Sequence, residues 1–316
     1  MGPQSSLAAL VLALLACPGD PSHGGSATGE TAPPVRPGIH VLLTDSLHLV
    51  RGRRVGLITN HTGIAPAPTG SGRDATSTID LLNDHPDVEL VALYGPEHGI
   101  RGTAEAGERV EDSTDPGTGL PIYSLYTSSR RPPEGSLDGV DVLLFDMQDV
   151  GARYYTYVYS MAYAMEEAGA RDIPFVVLDR PNPIDGVHVQ GTVLDPAFAT
   201  FVGLYPVPMR HGMTPAELAR LYVGEFGVDV ELRVVPADGW RRDMAFRDTG
   251  LPWRPPSPNM PSVTSALHYP GTCLFEGTPL SVGRGTGEAF QVIGAPWLDG
   301  PDLAARLNAY GLPGVR

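Results

Sequence analysis

The run Leu144-Phe-Asp-Met-Gln-Asp-Val-Gly-Ala-Arg153 gathers side chains suited to acid–base chemistry: an apolar stretch stops at Asp146, and Gln148, Asp149 and Arg153 follow before a helix begins. Two carboxylates, an amide and a guanidinium at a strand end form a candidate site, because open α/β sheets bind ligands beyond the carboxyl ends of their strands. The plainer reading has Asp149 capping the helix and Arg153 pairing with Asp146.

Other apolar runs end in the same way. Arg54 to Gly63 ends in Asn60, His61 and Thr62, and Val88 to Tyr94 runs into Gly95-Pro-Glu-His-Gly-Ile-Arg-Gly102, which presents Glu97, His98 and Arg101 between glycines. A Glu lifted to a strand end beside apolar surface can have its pKa raised and serve as a general acid; a solvated loop carboxylate is the alternative. Ile173 to Leu178 ends in Asp179 and Asn182. Three irregular stretches further on add Arg210 and His211, then Trp253 and Asn259, then Glu276, Ser281 and Arg284.

The elements that must hold these residues follow from periodicity. Val140 to Phe145 reads as a buried strand, and Tyr154, Val158, Met161, Ala162 and Met165 share one helical face. A short helix is expected over Thr76 to His85, and Leu120 to Tyr126 closes a loop from Arg101 that has the character of a lid. Five apolar strands alternating with helices or loops give a doubly wound parallel sheet. Thr214, Pro215 and Glu217 spell a capping box with proline in the first turn, in a helix that lasts to Gly227. Val228 to Val235 alternates as a strand. The expected division is a signal segment at 1–17, a tether at 18–38, a parallel-sheet domain at 39–196 and a smaller α/β domain at 197–316.

Composition narrows the function. The chain has 316 residues, 42% hydrophobic and 18% charged, with a net charge of -14, which argues against a nucleic-acid partner. All 22 basic residues are arginine, so a Schiff-base lysine is excluded. Neither a P-loop nor a Gly-x-Ser-x-Gly elbow occurs, Gly283-x-Gly285-x-Gly287 misses the dinucleotide fingerprint, and no His or Cys spacing suits a metal. Neither cofactor nor metal is expected. Leu7 to Ala16 is an apolar run too short to span a bilayer, and Leu14-Leu15-Ala16-Cys17 resembles a lipobox with Cys17 as the lipidated residue. The Gly, Ser, Thr and Pro that follow suit a flexible tether. A lipid-anchored or secreted protein of the bacterial cell envelope is expected, touching the membrane through its anchor alone; Cys273 would be left as a single thiol.

Gly56-Leu-Ile-Thr-Asn-His-Thr-Gly63, Tyr94-Gly-Pro-Glu-His-Gly-Ile-Arg-Gly102, Leu144 to Tyr157, Asp179-Arg-Pro-Asn-Pro183 and Tyr269-Pro-Gly-Thr-Cys-Leu-Phe-Glu-Gly-Thr278 together resemble the bacterial exo-β-N-acetylmuramidase family, from about residue 39 onward. The resemblance implies a Rossmann-like N-terminal domain, a smaller C-terminal α/β domain that runs on past residue 316, and release of N-acetylmuramic acid from non-reducing ends of peptidoglycan fragments. It implies Glu97 as general acid, Asp146 or Asp149 as its partner and Glu276 in reserve, unless the substrate's acetamido group takes the partner's place. The lactyl carboxylate of muramic acid suits an arginine fork, with Arg153, Arg210 and Arg284 as candidates. Asn60, His61, His98, Gln148, Asp179, Asn182, His211 and Asn259 complete the expected substrate contacts. A muropeptide-binding lipoprotein without catalysis is the main alternative, and an esterase or amidase a weaker one. Oligomeric state is not legible in the sequence.

Overall fold

Strands form where apolar residues run without a break, as expected of strands covered on both faces. In the computed structural model, which describes residues 34–66, 75–100 and 111–312 together with the backbone of 10–11, seven strands make one sheet. They are Arg54–Thr59 (β1), Glu89–Gly95 (β2), Ser113–Thr114 (β3), Pro121–Ser124 (β4), Val142–Asp146 (β5), Phe175–Leu178 (β6) and Leu232–Val235 (β7). Their order is β7-β6-β5-β1-β2-β4-β3, parallel throughout except for β3 at the edge.

Helices cover both faces. Ile39 and Leu42 of α1 (Gly38–Asp45) and Ile79 and Leu82 of α2 (Thr78–Asn83) join Val55, Leu57, Val142, Leu144, Val176 and Leu178 in one buried cluster. The intervening residues Leu143, Phe145, Phe175 and Val177 are equally buried and point the other way by the two-residue period. There α3 (Tyr157–Gly169) and α4 (Pro215–Phe226) pack on each other and on β6. Each fully buried side chain of this size contributes about 1.5–3 kcal/mol. The doubly wound α/β architecture expected from the alternation is present. Helix α4 starts as its sequence dictates: Thr214 and Glu217 form the capping box, Pro215 sits in the first turn, and Gly227 ends the helix with φ +75°.

The domain boundary differs from the sequence expectation. The chain divides into Pro34–Pro258 and a second unit of Met1–Pro33 with Asn259–Arg316, instead of breaking near 197. The reason is β7, which pairs in register with β6 from Leu232↔Phe175 to Val235↔Leu178 and so belongs to the main sheet. Only Leu232–Val235 of the expected strand over 228–235 is extended in this way. Val35 is already buried and Gly38 opens α1, so these residues, expected in the tether, belong to the folded part.

The second unit contains α5 (Val263–Thr272), α6 (Gly300–Ala309) and a two-residue pairing of Val292–Ile293 with Leu10–Val11. Tyr269 meets Phe290 edge-on at 4.7 Å. Cys17, most of the expected signal and tether, and residues 101–110 of the expected lid lie outside the described residues.

Candidate active site

The chain leaves β1 toward β2 and β4 on one side, whereas β5, on the other side of β1, leads to β6 and β7. The connections diverge between β1 and β5, and the carboxyl edge beside such a divergence is where open α/β sheets bind ligands. Asn60 to Thr62 follow β1, Glu97 and His98 follow β2, Tyr126 to Arg130 follow β4, and Gln148 to Arg153 follow β5. These four strand ends are adjacent.

Several expected site residues serve as framework instead. Asp146 has no exposed surface; Arg180 Nε and Nη2 donate to its two oxygens at 2.5 and 2.9 Å, and Thr78 Oγ1 adds a third bond. A buried carboxylate satisfied in this way has no room for substrate, so Asp146 is removed from the catalytic candidates, and its arginine is Arg180 rather than Arg153. Gln148 Nε2 donates to the carbonyls of Asp149 and Pro181, both at 2.8 Å. Asn182 ties the Met213 carbonyl to the Ile184 N–H. It packs so closely on Gly151, where φ is +81°, that a Cβ there would collide with its amide. Asp179 accepts from Thr214 Oγ1 at 2.8 Å and the Ala216 N–H at 3.0 Å, anchoring the start of α4, and burial pushes its pKa up to about 6. Arg210 is held by Asp185 at 2.7 Å and Gln190 at 2.9 Å. Arg153 Nη1 donates to the Thr192 and Val207 carbonyls at 2.7 and 2.8 Å.

A second set lies at the ends of β1 and β2. Glu97 Oε2 accepts from Thr156 Oγ1 at 2.7 Å, and burial first, then the nearby Glu97 charge, raises the pKa of the Tyr126 hydroxyl. His98 beside it is buried with φ +71°, a conformation that costs a non-glycine residue energy and clusters at functional sites. Asn60 Oδ1 is taken by Thr62, while its Nδ2 is buried without an acceptor. His61 Nε2 donates to the Pro255 carbonyl at 2.7 Å, which leaves Nδ1 as a buried lone pair without a donor; burial lowers this ring's pKa and keeps it neutral.

Asp149 is 3% exposed. Its Oδ2 accepts the Gly151 N–H at 2.7 Å and lies 3.6 Å from His211 Nε2, while Oδ1 is buried without a donor. It turns the loop on itself and does not cap α3, whose N-cap is Thr156. His211 Nδ1 accepts the Met213 N–H at 3.1 Å, so the ring proton sits on Nε2 and faces Asp149. Tyr155 is close enough to both carboxylates to feel their charge: burial raises its pKa most, and Asp149 and Glu97 both raise it further, so it stays neutral. Tyr157 packs edge-on against Tyr155 at 4.9 Å and donates to the Pro256 carbonyl. The proline-dense segment thus lines the strand ends through Pro255 and Pro256.

Asn259, Glu276 and Arg284 belong to the second unit. There the Asn259 side chain accepts the Gly285 N–H at 2.9 Å, and Arg284 pairs with Glu276. Among the described residues no group of three or more His, Cys, Asp or Glu could hold a metal ion.

Sequence reasoning assigned no role to Tyr126, Arg130, Tyr155, Thr156, Tyr157 or Arg180. The Tyr154-Tyr-Thr-Tyr157 run was their nearest signal, because it places hydroxyls at the first turn of a helix that follows a polar strand end.

Comparison with known proteins decides the family. The N-terminal and C-terminal family models of exo-beta-N-acetylmuramidase NamZ match residues 55–264 and 267–316. The chain belongs to the exo-β-N-acetylmuramidase NamZ family. Peptidoglycan beta-N-acetylmuramidase NamZ of Bacillus subtilis (strain 168) is 50% identical over 283 residues, which is 90% of this chain and 67% of that protein. A crystal structure of a DUF1343 family protein from Bacteroides fragilis NCTC 9343 superposes with a TM-score of 0.81 at 41% identity, covering 88% of this chain and 70% of that one. A second one from the same organism gives 0.68 at 35% identity, covering 83% and 67%. The N-terminal NamZ match takes in every strand-end residue from Asn60 to His211, and the two NamZ models meet close to the division at Pro258.

Proposed function

We infer that this chain is an exo-acting glycoside hydrolase that releases N-acetylmuramic acid from the non-reducing ends of peptidoglycan fragments, with Glu97 as the general acid and Asp149 as the opposing carboxylate. The observation that carries the assignment of roles is the placement of these two acids at the ends of β2 and β5, on either side of β1. Two strand spacings separate β2 from β5 by roughly 9.5 Å, the scale on which two carboxyl groups flank one glycosidic linkage.

In this reading Thr156 orients Glu97, which protonates the leaving oxygen, and the unpartnered Oδ1 of Asp149 accepts a proton from the attacking water. His211 holds Asp149 in place from the opposite side. Tyr155 and the Asn60 amide offer donors to the sugar between the two acids, and His61 offers an acceptor.

A disaccharide with N-acetylmuramic acid at its non-reducing end, incubated with the protein, should yield the free sugar by mass spectrometry. A ligand that binds saturably and stays intact would favour the non-catalytic reading. An envelope location rests on the Leu14-Leu15-Ala16-Cys17 sequence: Cys17→Ala should move the protein from the membrane to the soluble fraction in a bacterial host, and an unchanged distribution would remove the anchor from the account.

A further inference from the structure

Two neighbouring arginines follow β4 and are treated differently by the fold. Arg131 is satisfied: its guanidinium pairs with Glu166 at 2.5 Å and Glu167 at 3.2 Å on α3, and it lies 4.6 Å from the Tyr163 ring. Arg130 has no carboxylate partner among the described residues. Its guanidinium carbon lies 3.9 Å from the Tyr126 ring centroid and 4.4 Å from that of Phe201, and the two rings are inclined at 51° to each other, so the cation sits in the corner between two aromatic rings. One of its terminal nitrogens, Nη1, is buried and has no acceptor. Its backbone has φ +58°, in the left-handed region, and the ion pairs of Arg131 next door fix the loop that imposes this conformation.

The location gives these features a purpose. Tyr126 connects the cation to the site: Arg130 lies over its ring, and the Glu97 carboxylate is near enough to raise the pKa of its hydroxyl, behind burial as the largest cause. A guanidinium packed against aromatic rings, with a buried N–H lacking an acceptor, is prepared for an anion that would bring the missing oxygen. The other arginines considered for this task have charge or carbonyl partners: Arg210 with Asp185, although its Nε is also buried without an acceptor, Arg284 with Glu276, and Arg153 with two backbone carbonyls.

We propose that Arg130, clamped between Tyr126 and Phe201, receives the carboxylate of the substrate's lactyl ether and so selects muramic acid over amino sugars that lack it. The assignment rests on the muramidase reading, and it makes Arg130 a specificity residue that touches substrate without taking part in bond cleavage.

The test is calorimetric binding of N-acetylmuramic acid and N-acetylglucosamine to the full chain and to its Arg130→Met and Arg130→Lys variants, beside cleavage of the muramic acid disaccharide. The natural chain should prefer the carboxylate-bearing sugar by about 10- to 100-fold, the range of a hydrogen-bonded charge. Arg130→Met should lose that preference by weakening N-acetylmuramic acid alone, and Arg130→Lys should keep part of it. Equal weakening of both sugars in the Met variant would make Arg130 a structural clamp and overturn the proposal, as would an unchanged preference. If the natural chain cleaves the disaccharide while Arg130→Met keeps its full preference, only the assignment of Arg130 fails. If the natural chain neither prefers nor cleaves the muramic acid sugar, the muramidase reading fails with it.

Discussion

At the β5 and β6 ends of the sheet, Asp146 with Arg180 and Asp179 with Thr214 and Ala216 fill one another's hydrogen-bonding capacity. Three residues beyond Asp146, Asp149 keeps a carboxylate oxygen with no donor, and at the β4 end Arg130 keeps a guanidinium nitrogen with no acceptor. Both regions are buried and both are built from Asp and Arg. The difference is whether the polar atoms are matched inside the protein. Matched groups hold strand ends in place; unmatched buried groups carry a desolvation cost of about 1–3 kcal/mol each that a ligand can offset. Residue type alone therefore does not locate the site.

The contrast can be broken by exchanging the two aspartates for their amides. Asp149→Asn should lower turnover by about 10² to 10⁴ while changing stability little. Asp146→Asn should act chiefly on stability, since breaking a buried pair costs about 3–5 kcal/mol. Urea unfolding beside a sugar-release assay distinguishes the two, and a stable, inactive Asp146→Asn variant would return Asp146 to the catalytic candidates.

A smaller effect concerns Asp179. Burial raises its pKa from an ordinary 3.8 to about 6, so between these values the folded chain holds a proton that the unfolded chain has released. Its contribution to stability is complete below the unfolded value and is lost as pH rises through about 6, on the order of 3 kcal/mol in all. Asp179→Asn should lack this pH dependence. A difference between variant and parent that stays constant from pH 4 to pH 7 would exclude burial as the cause.

Much of the scaffold was legible. The apolar runs over 54–59, 89–95, 142–146 and 175–178 are long and unbroken enough for local composition to fix their state, and the capping box of α4 is written in Thr214, Pro215 and Glu217. The domain boundary was not, because whether Leu232–Val235 pairs with Phe175–Leu178 is a long-range choice that its own alternation cannot express. The site was half legible for the same reason. Glu97 and Asp149 could be found as polar residues after the ends of apolar runs, and His211 in an irregular stretch just before a capped helix. That Arg180 rather than Arg153 reaches Asp146, and that Arg130 rests on Phe201, depends on packing between segments far apart in the chain.

The central claim is that Glu97 donates the proton to the leaving group. A sugar leaving group needs that proton, whereas 4-nitrophenolate leaves without it. The decisive measurement is kcat/KM of Glu97→Gln on the muramic acid disaccharide and on the 4-nitrophenyl glycoside of N-acetylmuramic acid. General-acid catalysis by Glu97 predicts a loss of about 10² to 10⁴ on the disaccharide and a far smaller loss on the nitrophenyl glycoside. Equal losses on both substrates, or full activity on the disaccharide, would contradict it.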